Sequence, residues 1–228
     1  MTSTPVAIVL AAGKGVRTAS DRPKQVLPLG DRPVMAYAVD QHLRMGHRVV
    51  LVVSDAVRGV AREVVGAHPS GGAVAVVEGG ATRRESVLAG IAAIPTDADE
   101  TTAVILRNAA SPNTADSVIE SCLAGLSDHD GMQAYLASDS TTFIHDGVSL
   151  RTLVPRRETG FTCDPTVYRN ALVRSVADEM RAGVDGETTL DIARALGASI
   201  GIVESSADNI KITTPDDLHR VAVAMGLD

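Results

Sequence analysis

Short, nearly uninterrupted apolar runs alternate with segments of helical period through the first half of the chain. Val6–Leu10, Arg48–Val53, Ala73–Val77 and Ala103–Leu106 read as strands, and Val34–Gly46, Ala56–Gly66 and Thr82–Ile94 read as helices. A strand that is apolar at every position has no face to offer water, so helices must cover both sides of the sheet. Strand-helix alternation of this kind gives a mostly parallel α/β sheet. A chain of 228 residues can bury one such core. No internal repeat or linker divides it, so residues 1–228 read as a single Rossmann-like domain. With aromatic residues at 2% and no Trp, that core has to be aliphatic.

The pattern loosens after Met132. Residues 138–163 are rich in Ser, Thr and Arg and follow neither period. A stretch of that length in a compact domain is functional or an interaction arm, and it is expected to protrude. Val167–Ala182 and Thr189–Leu196 read as helices and Ser199–Val203 as a strand. "NIKIT", residues 209–213, reads as an edge strand. Thr214-Pro215-Asp216-Asp217 marks a helix start, with Thr as N-cap, Pro at the first position and acids at the positive dipole end.

Charge and composition exclude several partners. The net charge is −7, which gives no general attraction to a phosphate backbone, and the scarcity of aromatics leaves no stacking platform for single strands. Nucleic acid is not expected as a partner. No apolar run approaches the roughly 20 residues of a membrane span, no basic-then-apolar leader opens the chain, and neither a membrane contact nor export is expected. The expected location is the cytoplasm. Cys122 and Cys163, the only cysteines, are too few for a structural zinc site or a disulfide framework.

Against this acidic background one stretch stands out. "VLAAGKGVRTASDRPKQVLPLG", residues 9–30, follows the first strand. Through Arg32 it sets Lys14, Arg17, Arg22, Lys24 and Arg32 against only Asp21 and Asp31. Glycines at the carboxyl end of a first strand let backbone N–H groups approach a ligand, and open α/β sheets bind ligands there. Cations in the same loop suit a di- or triphosphate. A dinucleotide-binding fingerprint, G-x-G-x-x-G, would place its third glycine where Thr18 follows Arg17, and an acid at the end of the second strand, so an oxidoreductase is disfavoured. Nucleotidyl transfer, in which negative charge crowds an α-phosphate and a leaving pyrophosphate, explains the loop better. Pro23 restrains the backbone beside Lys24.

"AAGKGVRTASDRPKQVLPLGDRPV" resembles the opening signature of nucleotidyltransferases with a GT-A-like fold. It is most similar to the 2-C-methyl-D-erythritol 4-phosphate cytidylyltransferases and their ribitol-5-phosphate relatives. "GGATRRESVLAGI" (79–91) and "ADNIKITTPDDL" (207–218) resemble two further segments of that family, in the same order. The resemblance implies CTP as donor, a small sugar or polyol phosphate as acceptor, Mg²⁺ as cofactor and a homodimer joined through the arm. It implies catalytic roles for Arg17, Lys24 and Lys211. Ala11, Ala12, Gly13, Lys14, Gly15, Gly79, Gly80, Arg83 and Ser86 would line the nucleotide, and Arg156 and Asp208 would serve the acceptor. Read from the residues alone, Ser86 is a helix-surface hydroxyl, Lys211 a solvated edge-strand guard and Asp208 a turn former.

The chain also departs from the family pattern. Where D-A-A-R-P is expected it has Asn108-Ala109-Ala110-Ser111-Pro112, so Asn108 stands in place of the family's Mg²⁺ carboxylate and Ser111 in place of its arginine. The T-P-Q segment reads Asp164-Pro165-Thr166, and Glu187-Thr188 stands at a Thr-Asp pair. Asn108 keeps one neutral oxygen for a metal but loses the charge. Two readings therefore stand at this point: an active cytidylyltransferase, or a catalytically impaired paralogue that binds nucleotide or acts as an assembly partner. Substitution of Asn108 by Asp is expected to raise the rate if only the metal site was lost.

Overall fold

The computed structural model describes residues 3–13 and 22–227; Lys14, Gly15 and Arg17 of the cationic loop lie outside them. In chain order, β1 (Val6–Ala11) leads to a short ladder of β2 (Pro28–Leu29) and β3 (Arg32–Pro33), then α1 (Val34–Arg44), β4 (Arg48–Val53), α2 (Asp55–Ala67) and β5 (Val74–Glu78). Next come α3 (Arg83–Ala92), β6 (Ala103–Asn108), α4 (Asp116–Gly125) and β7 (Gly131–Ala137). A hairpin of β8 (Thr142–His145) and β9 (Leu150–Val154) precedes β10 (Gly160–Arg169) and α5 (Asn170–Arg181). The chain closes with α6 (Thr189–Ala195), β11 (Ile200–Glu204) and α7 (Pro215–Met225).

Seven strands form one sheet in the order β11-β7-β10-β6-β1-β4-β5. β1 pairs in parallel with β4 and β6, β4 with β5, and β7 with β11. β10 alone is reversed, running against both β6 and β7. β1 sits near the centre and is buried at all six positions. Its alternate residues serve the two faces of the sheet: Val6, Ile8 and Leu10 pack with Val87 and Ile91 of α3 and Val173 and Val176 of α5. Val9 and Ala11 pack with Met35 and Val39 of α1 and Val57 of α2, while Ala7 joins Val118 and Ile119 of α4. This is the mostly parallel, two-sided architecture expected from the apolar runs. Among the described residues no helix is long and apolar enough to cross a membrane.

Three expectations are corrected. Val167–Arg169 belong to β10, and the helix starts at Asn170. Val167 and Tyr168 are apolar at the junction, and they lie opposite Ile105 and Val104 of β6. Residues 138–163 are not without regular structure: they hold the β8–β9 hairpin and the start of β10, which accommodates Pro165 where its register against β7 shifts between Thr162 and Thr166. "NIKIT" is not a strand and joins no ladder. Ile212 is buried, and its N–H donates to the Ala110 carbonyl at 2.8 Å. The loop after β6 thus takes the place of a sheet neighbour. The helix start at Thr214 is as expected, with a capping box between Thr214 and Asp217.

Behind the sheet, His42 and His47 are buried with their Nδ1 atoms 3.0 Å apart. Burial lowers both, His42 well below the ordinary imidazole range; Arg107 and His47 itself add to the effect at His42. Because the folded values lie below the unfolded ones, the unfolded chain binds more protons as pH falls from about 6.5. Stability is therefore expected to drop between pH 7.5 and 5.0, before the carboxylates titrate. Thermal unfolding across that range should show a smaller loss in the His42→Asn/His47→Gln variant than in the parent.

Candidate active site

The site forms where the carboxyl ends of β1, β5 and β6 face the entry of α3. Its first part is a cleft of about 330 Å³ lined by Ala12, Gly13, Lys24, Gln25, Gly80, Thr82, Arg83, Ser86, Asn108 and Lys211, among others. Lys24, Arg83 and Lys211 are cations, and none of the described lining residues is acidic. Lys24 lies in the single helical turn after Pro23. Its Nζ donates to the Ile212 carbonyl at 2.6 Å, so the 209–213 segment anchors one catalytic candidate and carries another, Lys211. Gln25, buried, donates to the Gly13 carbonyl at 2.9 Å and holds the last described residue before the cationic loop.

The glycines after β5 act by close packing. A Cβ at Gly79 would stand 2.5 Å from Ala12 Cβ and 2.8 Å from Ser86 Oγ, and one at Gly80 would overlap the Glu85 side chain. Gly80, not Gly79, lines the cleft. Thr82 caps α3, its hydroxyl accepting from Glu85 N while the Glu85 carboxylate accepts from Thr82 N. That turn aims Arg83 across the cleft, where it donates to Asn108 Oδ1 at 2.8 Å. Ser86 is buried, not on the helix surface, and its hydroxyl donates to the Thr82 carbonyl at 2.9 Å. Ala11 is fully buried within β1.

A second cleft of about 680 Å³ opens beside the first and shares Arg83, Asn108 and Lys211 with it. Ser111, Gln133, Asp164, Thr166, Glu187 and Asn209 are among its other walls. Its polar groups are linked. Asp164, from β10, accepts from the Asn108 N–H (3.1 Å) and twice from Asn108 Nδ2 (2.9 Å each), and the Ser111 hydroxyl donates to its second oxygen. Asn209 Nδ2 donates to the Asp164 carbonyl at 2.6 Å. Behind them the buried Arg107 donates to the Ser111 carbonyl at 2.7 Å and to Gln41 Oε1. Burial pulls this guanidinium down to about 10, partly offset by Asp164 and Asp116. The Cys163 thiol, on the same wall, is pushed up to about 11 by burial.

Two acceptor candidates lie elsewhere. Asp208 lines neither cleft; its carboxylate accepts from the Ser206 hydroxyl at 3.3 Å in a turn. Arg156 sits on the arm, donating to the Asp139 carbonyl at 3.2 Å, away from both clefts of its own chain. Gln25, Gln133, Asp164 and Asn209 were not singled out as site residues. The pairing of β10 with β6 brings Asp164 to the cleft, and Asn209 reaches it from the segment after β11, held by Thr114 and the Asp164 carbonyl.

The family model for 2-C-methyl-D-erythritol 4-phosphate cytidylyltransferase matches residues 6–226. The chain belongs to this family. It is 33% identical to the enzyme of that name from Xanthomonas oryzae pv. oryzae, covering 94% of this chain and 79% of the relative. With the Cronobacter sakazakii enzyme it shares 34% identity over 95% of this chain and 92% of the relative. A bifunctional IspD/IspF enzyme from Rhizorhabdus wittichii is 32% identical, and this chain spans 58% of its length. The crystal structure of 4-diphosphocytidyl-2C-methyl-D-erythritol synthase from Anaerococcus prevotii superposes with a TM-score of 0.86 over 98% of this chain and 99% of that one. At 18% identity that likeness speaks for the fold. The family is one of nucleotidyltransferases that transfer a cytidylyl group.

The packing at Gly79 gives a direct test of the nucleotide cleft. Gly79→Ala forces Ala12 or α3 to move and is expected to destabilise the protein by about 1–3 kcal/mol. It should also weaken CTP binding by displacing the cleft wall. Thermal unfolding and calorimetric titration with CTP measure the two effects.

Proposed function

We propose that this chain transfers CMP from CTP to a small sugar or polyol phosphate, with 2-C-methyl-D-erythritol 4-phosphate the first candidate. A phosphate oxygen of the acceptor attacks the α-phosphorus, the bond from that phosphorus to the β-phosphate bridge breaks, and pyrophosphate leaves with the bonding electrons. The observation that carries this reading is the junction of the two clefts. A cation-lined cleft meets a larger, hydrogen-bonding one at Arg83, Asn108 and Lys211, so a donor and an acceptor can touch only there. Lys24 and Lys211 face the first cleft, where fixed positive charge would stabilise the crowded α-phosphate and the leaving group. Arg17, Lys14 and Gly15 complete this reading from the loop outside the described residues. Arg220, on the second cleft, suits an acceptor phosphate, and Gln133 and Thr166, joined at 2.7 Å, suit its hydroxyls.

Mg²⁺ fits this donor set as an ion carried in on the triphosphate. Asn108 Oδ1 offers one neutral oxygen at the junction, with the Asp164 carboxylate one hydrogen bond behind it. Among the described residues no three His, Cys, Asp or Glu side chains gather to hold a metal by themselves. Mg²⁺ is commonly held by one or two carboxylates together with substrate phosphates. When bound, it neutralises phosphate charge and makes pyrophosphate a better leaving group.

The arm supports a homodimer. Phe143, Ile144, Leu150, Leu153 and Phe161 are all at least half exposed on it. In the hairpin register Phe143 lies opposite Leu153 and His145 opposite Leu150. Such an apolar ladder on a two-stranded hairpin is an association surface, and a second subunit would bring Arg156 of one chain toward the acceptor cleft of the other. The Phe143→Ser/Leu153→Ser variant is expected to sediment as a monomer where the parent sediments at twice the chain mass. Failure of the parent to exceed monomer mass at micromolar concentration would overturn the dimer.

Pyrophosphate release from CTP and Mg²⁺ with methylerythritol phosphate, compared with ribitol phosphate, tests the reaction itself. Lys211→Ala should lower kcat/KM by about a hundredfold or more. CTP binding without turnover on any polyol phosphate would instead support the impaired paralogue.

A further inference from the structure

Asn108 is held at both ends by groups that leave its amide one orientation. Arg83 can only donate, so it fixes Oδ1, at 2.8 Å. The Asp164 carboxylate can only accept, so it fixes Nδ2, which donates to both of its oxygens at 2.9 Å. The backbone N–H of Asn108 and the Ser111 hydroxyl complete the carboxylate's shell. Asp164 is 8% exposed and lines the second cleft only, whereas Asn108 lines both. The negative charge of the junction therefore stands one strand behind Asn108, on the antiparallel neighbour.

We propose that Asn108 and Asp164 work as one unit, in which Asp164 is a positioning residue that turns the Asn108 amide oxygen toward Arg83 and the nucleotide cleft. This deepens the cytidylyl-transfer reading and rests on it. It also reverses the expectation for Asn108→Asp. A carboxylate at position 108 would place an oxygen where Nδ2 now lies, within hydrogen-bond distance of both Asp164 oxygens. Two carboxylates that close cannot both ionise. Either a proton is shared between them or one side chain turns away, and in each case the junction loses its geometry. Exchange of both residues keeps the pattern: an asparagine at position 164 donates to the new carboxylate, its oxygen accepts from Ser111, and Arg83 gains a charged acceptor.

The test is a double-mutant cycle on the full-length protein, comparing the parent with Asn108→Asp, Asp164→Asn and the double variant. CTP affinity is read by calorimetry in Mg²⁺, beside thermal midpoints and turnover. Each single substitution is expected to weaken CTP binding about tenfold, and the double variant to return within about threefold of the parent. The proposal is overturned if Asn108→Asp alone binds or turns over as well as the parent. It is equally overturned if the double variant is as weak as the two singles combined, or if coupling appears in the thermal midpoint while CTP affinities stay additive, since the pair would then be merely structural. If Asp164→Asn does not fold alone, the comparison of Asn108→Asp with the double variant decides, because the same carboxylate then faces either a like charge or an amide. A parent that binds CTP without turnover would count against the transferase reading and leave this cycle intact. A parent that binds no CTP would remove both.

Discussion

One reversed strand organises the chemistry of this fold. In an all-parallel sheet, neighbouring strands deliver their carboxyl ends to the same edge and take their amino ends away from it. Because β10 runs against β6, its own early residues arrive where β6 ends. Asp164 thereby meets Asn108, and Thr166 meets Gln133 of β7 across the other side. The Asp164–Asn108 and Thr166–Gln133 contacts of the second cleft depend on that antiparallel pairing.

The charge distribution follows from the same layout. The chain is acidic as a whole, yet the first cleft gathers Lys24, Arg83 and Lys211 with no acid among its described lining residues. These three come from a turn after β1, the first turn of α3 and the segment before α7. They converge because β1 and β6 are buried along their length and open to ligand only at their carboxyl ends. The Lys24 bond to the Ile212 carbonyl ties two of these segments together, so the cationic rim holds its own shape. Asp217 secures the far end of that segment. Burial acts against its ionisation, but hydrogen bonds from Thr213 and Thr214 outweigh it and hold the carboxyl down at about 2.

Legibility in the sequence followed burial. β1 and β4 are continuous apolar runs because both faces are covered, and their bounds were read to within a residue. β10 was not read as a strand. It includes Asp164 and Pro165, residues that argue against a strand interior, and its apolar end, Val167 and Tyr168, merges into the helix that follows. "NIKIT" has strand-like alternation, but Ile212 satisfies its backbone with the 108–112 loop instead of a ladder. Asp208 lies in the turn before that segment, its carboxylate on the Ser206 hydroxyl, while its neighbour Asn209 bonds into the network.

The sequence by itself determined the strand-helix alternation of the first half and the family, since these rest on apolar period and on motifs that lie contiguous in the chain. Only the tertiary structure decided what Asn108 is. In the chain it stands 56 residues from Asp164 and reads as a lost charge. In the fold the charge lies across one strand pair, because strand direction, which no local pattern encodes, sets which side chains share an edge.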